Sequence, residues 1–232
     1  MKRILAVLLV LCMAFSIVAC GGDKFDPAKK SEGVMTYAEY NEAAMDAEVV
    51  IEAYVQATQS WWDNKITAYL QDPDGAYFAY EMACSEEDAA KLTKGTKIKV
   101  TGYKGAWEGE VEIMDGKFEI LEGTWVAEPT DVTALLGTDD LIKHQNKLVS
   151  FKGLTIASIT YRNDAPGDDI YVDVSKDGNT YSFCVERYLT DPETDVYKAF
   201  ADLKAGDVVD IEGFLYWYQG VNTHITAVSK AN

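Results

Sequence analysis

The sequence predicts a mainly β chain with short helices, made of one unit used twice, and three observations carry that reading. The segment Leu92-Thr93-Lys94-Gly95-Thr96-Lys97-Ile98-Lys99-Val100-Thr101-Gly102-Tyr103 matches Leu203-Lys204-Ala205-Gly206-Asp207-Val208-Val209-Asp210-Ile211-Glu212-Gly213-Phe214 position by position, an internal repeat. Upstream of each copy, two alternating runs flank an Asp-Gly pair: Asp74-Gly75 within Ile66 to Tyr80, and Asp177-Gly178 within Ile170 to Val185. Alternation of period two around such a pair predicts hairpins with tight turns. Between each hairpin and each repeat strand lies one segment with a helix-start signal.

Taken in order, Thr36 with Glu39 forms a capping box for a helix over Tyr37 to Asp46, and Val49 to Ala57 is the first strand. After the first hairpin, Ser85 precedes Glu86, Glu87 and Asp88, which satisfy orphan amides and complement the helix dipole. That helix is expected to end at Gly95, before the repeat strand and a last strand over Val111 to Leu121. Glu128-Pro129-Thr130 marks a boundary, and Asp131 opens a short helix through Leu136 before Gly137. The second unit then runs through a strand over Leu148 to Ile159, its hairpin, and a helix begun by Asp191-Pro192-Glu193 and closed at Gly206. Its repeat strand and a last strand over Thr223 to Val228 follow.

The order strand, strand, strand, helix, strand, strand resembles the OB-fold. The resemblance implies two tandem five-stranded Greek-key barrels, residues 34–127 and 128–232, each with its helix between the third and fourth strands. Tyr69-Leu70-Gln71-Asp72-Pro73-Asp74-Gly75-Ala76-Tyr77, followed by the strand from Gly95 to Tyr103, is similar to OB-type repeats of Gram-positive lipoproteins, which bring no established activity.

The N-terminus fits that family. Lys2 and Arg3 precede an apolar run from Ile4 to Val18 broken only by Ser16. A membrane span needs roughly 20 apolar residues, so this shorter run reads as a signal peptide. Ile17-Val18-Ala19-Cys20 resembles a lipobox. The resemblance implies that residues 1–19 are removed, that Cys20 takes a diacylglycerol, and that residues 20–33 form a polar tether. The expected location is the cell membrane, lipid-anchored on its extracytoplasmic side, with the membrane as a partner through Cys20. Cys12 would leave with the signal peptide.

Formal net charge is −17, and loss of Lys2 and Arg3 makes the remainder two charges more negative. A strongly negative body repels polynucleotides and anionic lipid, so nucleic acid is not an expected partner. Cys84 and Cys184 fall in different halves and read as buried, inert thiols.

OB-folds bind on the face of strands two and three, framed by the loops joining strands one to two and four to five. Trp61, Trp62 and Trp107 fall in those loops of the first unit, and Tyr216, Trp217 and Tyr218 in the second. Tyr69 and Tyr77 complete the candidate ligand-binding set, with Tyr80, Tyr171, Tyr181 and Phe183 as further strand-face candidates. Such rings suit sugar faces, flat rings or unpaired bases, although aromatics in strands also close a barrel core. Adjacent tryptophans cannot both point inward on an ordinary strand.

No catalytic set is expected. His144 and His224 adjoin no serine or cysteine pattern for an activated nucleophile, and no Cys/His spacing suggests zinc. Thermonuclease-like chemistry needs paired arginines and clustered carboxylates, but beyond the leader only Arg162 and Arg187 remain. Asp191, Glu193 and Asp195 alternate like early calcium ligands, yet Val196 stands where the loop needs glycine. No metal or other cofactor is therefore expected. The functional expectation is a non-enzymatic surface lipoprotein that binds an extracellular saccharide, a peptide or an envelope protein. A structural or assembly role in the envelope is the alternative, with single-stranded nucleic-acid binding or an envelope hydrolase behind it.

Overall fold

The computed structural model describes residues 25–231, so the leader, the lipobox and Cys20 lie outside the described residues. On β1 (Glu48–Thr58), Val49, Ile51, Ala53 and Val55 alternate into one core, as a period of two requires. The core is completed by Ile66, Ala68 and Leu70 of β2 (Lys65–Gln71), Tyr77 and Ala79 of β3 (Ala76–Ala83), Ile98 and Val100 of β4 (Thr96–Trp107), and Ile113 of β5 (Glu110–Thr124). These strands close into a barrel in the order β1-β2-β3-β5-β4. Every pairing is antiparallel except β3 with β5, where Phe78 meets Glu112 and Ala79 meets Ile113. The chain is thus mainly β with a few short helices, and its first half is an OB-like barrel.

The second sheet runs β10-β11-β9-β8-β7-β6. Its strands are β6 (Thr130–Asp131), β7 (Leu148–Tyr161), β8 (Ile170–Lys176), β9 (Asn179–Val185), β10 (Val208–Phe214) and β11 (His224–Lys230). β10 also pairs with β7, and β9 meets β11 in parallel at Cys184 and His224. Phe151, Leu154, Ile170, Val172, Phe183 and Ile211 fill the core.

The helices are shorter than predicted. α1 (Tyr37–Glu42) has the predicted Thr36/Glu39 capping box, but it stops short of Asp46. Lys104 Nζ donates to the carbonyls of Tyr40, Asn41 and Ala43, satisfying the end of the helix there. α2 (Glu86–Ala89) is capped by Ser85 and ends well before Gly95. α3 (Asp195–Ala199) takes Thr194 as its N-cap, not Asp191. The Asp191 carboxylate instead accepts Glu193 N–H in the preceding turn, so the alternating acids shape a loop. Asp131 opens only a 3₁₀ turn, Thr133–Leu135, through its bonds to Thr133.

The hairpins also differ. Asp177 and Gly178 both have positive φ, the two-residue type I′ geometry expected from the sequence. The first loop spans four residues, with Asp72 accepting from the amides of Asp74 and Gly75. Gly75 is required there because a Cβ would fall inside the Tyr37 ring.

Residues 25–33 lie along the first barrel, unlike a free tether. Lys30 pairs with buried Asp72 and donates to Glu52 O, while Phe25 sets its ring edge-on to Tyr54. Cys84 and Cys184 are buried and free, as expected.

A third apolar cluster joins the halves: Tyr69 and Phe78 of β2 and β3 meet Leu148, Phe214 and Tyr216. Tyr69 stacks on Phe214 at 4.4 Å, and its hydroxyl bonds His224 Nδ1 at 2.6 Å. The tip of the β4–β5 hairpin is held at the same seam. Gln145 Nε2 donates to Gly109 O at 2.9 Å, and Gln219 Nε2 donates to Glu108 at 2.9 Å.

Candidate functional site

Trp62 and Lys65 exchange both backbone hydrogen bonds across Asp63 and Asn64, which both take positive φ. This is the tight-turn geometry that matches strand twist, and it presents the Trp62 ring from a rigid corner of the β1–β2 loop. The ring is 80 % exposed. Trp61 points the other way: it packs on the first core and its Nε1 donates to Cys84 O at 2.9 Å. The adjacent tryptophans therefore divide, one as anchor and one as surface.

Trp61 and Trp62 border a groove of about 710 Å³ whose other walls include Lys65, Tyr80, Glu81, Arg187 and Tyr188. Tyr80 and Tyr188 are 42 % and 53 % exposed. Tyr188 belongs to the second half, and its carbonyl accepts from Ser60 N–H at 2.7 Å and from Ser60 Oγ at 3.3 Å. The Arg187 guanidinium lies 5.0 Å from the Tyr188 ring centre, a cation–π contact that holds both side chains. Arg187 N–H donates to Asp169, and the guanidinium stands 3.9 Å from Asp168. Across the groove Lys65 pairs with Glu81 at 2.6 Å. The pair holds the Glu81 carboxyl below its ordinary range and the Lys65 ammonium above its own.

The other predicted aromatics do not join this groove. Tyr69 and Tyr77 are 1 % and 0 % exposed, the first in the seam and the second in the barrel core, so neither presents a stacking face. Tyr216 stacks on His224 at 4.2 Å and meets Phe78 at 5.3 Å, within the seam. Trp217 packs against the second core and crowds Gly109, where a Cβ would stand 2.7 Å from its ring. Trp107 and Tyr218 are exposed but line another part of the surface. Tyr80 was a strand-face candidate in the sequence, whereas Lys65, Arg187 and Tyr188 carried no signal for this site beyond the scarcity of arginine.

The seam also buries a carboxyl. Glu110 is fully buried and accepts Trp217 N–H at 2.8 Å and Gln145 Nε2 at 3.1 Å. Burial raises it to about 8. His224, also buried, is lowered to about 3 by desolvation.

No protein-family model matches the chain, and no curated protein matches it. Solved structures do. A murine DNA-binding protein bound to double-stranded DNA is similar over 79 % of this chain and 96 % of its own, at 12 % identity and a TM-score of 0.38. A replication protein A heterotrimer bound to single-stranded DNA is similar over 80 % of this chain and 49 % of its own, at 11 % identity and 0.34. A p202 HIN1 domain in complex with a 12-mer double-stranded DNA is similar over 82 % of this chain and 96 % of its own, at 10 % identity and 0.38. These names stand against two expectations: a saccharide, peptide or envelope-protein ligand, and nucleic acid excluded as a partner. Both expectations are corrected. The second rested on the charge summed over the whole chain, and that sum does not describe a groove where Lys65 and Arg187 stand beside three exposed rings.

Proposed function

We propose that this chain is a lipoprotein, anchored at Cys20 outside the cytoplasmic membrane, whose tandem OB-fold barrels bind an unpaired nucleic-acid segment without catalysing its reaction. The observation that carries the binding reading is the groove. Trp62, Tyr80 and Tyr188 offer π faces, and Lys65 and Arg187 lie beside them. Aromatic platforms beside cations suit single strands because every base has a face to stack and every link a phosphate to neutralise. The tandem reading is supported by the repeated segment and by the second sheet, where β10 returns to β7 and β9 runs parallel to β11. The anchor is supported by Lys2, Arg3, the apolar run and the Ala19-Cys20 junction.

Titration of the mature chain with a single-stranded oligonucleotide, followed by tryptophan fluorescence, tests the binding reading. Trp62→Ala is expected to weaken binding by about 1–3 kcal/mol, while Tyr171→Ala on the second sheet leaves it unchanged. An unchanged affinity in both Trp62→Ala and Arg187→Ala would sink the reading. Metabolic labelling with a fatty acid tests the anchor: the wild type takes the label and Cys20→Ser does not.

A further inference from the structure

We infer that the groove takes one nucleotide unit, a base on Trp62 and a single phosphate at Arg187, and not a continuous strand; this rests on the binding reading above. Three independent features limit the length. The first is coverage. On an OB-like barrel a long strand would cross the outer face of the second and third strands. Here that face is β2–β3, and its outward residues Tyr69 and Phe78 are sealed by Phe214 and Tyr216 of the second half. Only the end of the face beside the β1–β2 loop stays open, where Trp62, Lys65 and Tyr80 stand.

The second feature is charge. Lys65 is already partnered by Glu81, so an arriving phosphate must displace a carboxylate to use it. Arg187 is the freer cation, since its nearest carboxylate, on Asp168, lies at 3.9 Å. Asp63 and Glu81 line the same groove, and a second phosphate beside them meets negative charge. The third feature is size: about 710 Å³ falls within the range of small-molecule sites. A flat ring with one phosphate satisfies all three, and each further phosphate finds no free cation.

The test compares adenosine 5′-monophosphate, a dinucleotide and a single-stranded dodecamer, each titrated at several salt concentrations. Expected are affinities for the dinucleotide and dodecamer within about tenfold of the monophosphate, with a salt slope near −0.7, the value for one phosphate contact on a single strand. Arg187→Ala should flatten that slope, and Arg187→Lys should restore it. Glu81→Gln frees Lys65, so the dodecamer slope should steepen toward about −1.4. Affinity that climbs with each added nucleotide, with a slope several-fold steeper, would overturn the one-unit limit and leave the binding reading standing. Failure of all three ligands to bind would overturn both.

Discussion

The outer face of β2–β3 and the outer face of β8–β9 occupy equivalent places in two sheets of similar strand order, yet one is buried and the other is wet. On β2–β3 the outward residues include Tyr69 and Phe78, and the second half closes over them. On β8–β9 they include Tyr171, Asp173, Thr180 and Ser182, and Tyr171 stays 40 % exposed. Asp173 spends its carboxylate on Ser158 Oγ at 2.7 Å. Strand order does not decide which face is covered; side-chain chemistry on the outward stripe does. Burying a large apolar side chain stabilises by about 1.5–3 kcal/mol, whereas burying Asp173 without a new partner would cost more than it returns.

The sharpest way to break this contrast is truncation on each face. Phe214→Ala removes the ring stacked on Tyr69 and is expected to cost about 3–5 kcal/mol in urea denaturation. Tyr171→Ala should stay within about 0.5 kcal/mol. Equal losses would mean that the seam contributes no more than an open face.

Acidity tests the seam next. Glu110, raised from 4.5 to about 8, contributes stability that is full below pH 4.5 and is lost as pH rises toward 8. Half-buried Glu186, raised to about 7 by desolvation, acts in the same direction. His224, lowered from 6.5 to about 3, contributes stability that is full above 6.5 and is lost as pH falls toward 3. Each full unit of such shift corresponds to about 1.4 kcal/mol. Thermal denaturation across pH should therefore show a maximum near 4.5: above it two carboxyl contributions are lost against the one that His224 regains, and below it the His224 loss stands alone. Glu110→Gln should soften the alkaline loss, and an unaltered profile would show that the seam is not where this proton is held.

A smaller effect is expected inside the first barrel. Gly75→Ala drives a Cβ into Tyr37 and should destabilise by about 1–3 kcal/mol. Gly178→Ala, in the open turn of the second hairpin, meets no atom within 4 Å and pays only for its left-handed φ of 83°. Its loss should be the lesser of the two, and the reverse order would mean that turn strain outweighs contact with α1.

Much of the architecture was legible in the residues themselves, because the forces that set it act over a few positions. The alternation of Val49, Ile51, Ala53 and Val55, the Asp177-Gly178 turn, the Thr36/Glu39 capping box and the Leu-x-x-Gly repeat each depend on neighbours in sequence. Helix lengths were less legible. α1 ends where Lys104, some sixty residues away, supplies its donors, and the start of α3 moved because Asp191 and Thr194 are both competent caps. The tryptophan pair was half legible: its division into inward Trp61 and outward Trp62 follows from adjacency, but its neighbours do not.

What the sequence by itself determined is the mainly β class, the repeated unit, the turns and the aromatic stock of each loop. Tertiary structure alone decided that Tyr69 and Tyr77 are interior and Tyr216 half-buried in the seam, that Glu110 is sealed between the halves, and that Arg187 and Tyr188 stand across from Trp62. The reason is desolvation. Whether a ring or a charge keeps its water depends on which distant surface closes over it, as when residue 188 meets residue 60, and no local period or spacing records that meeting.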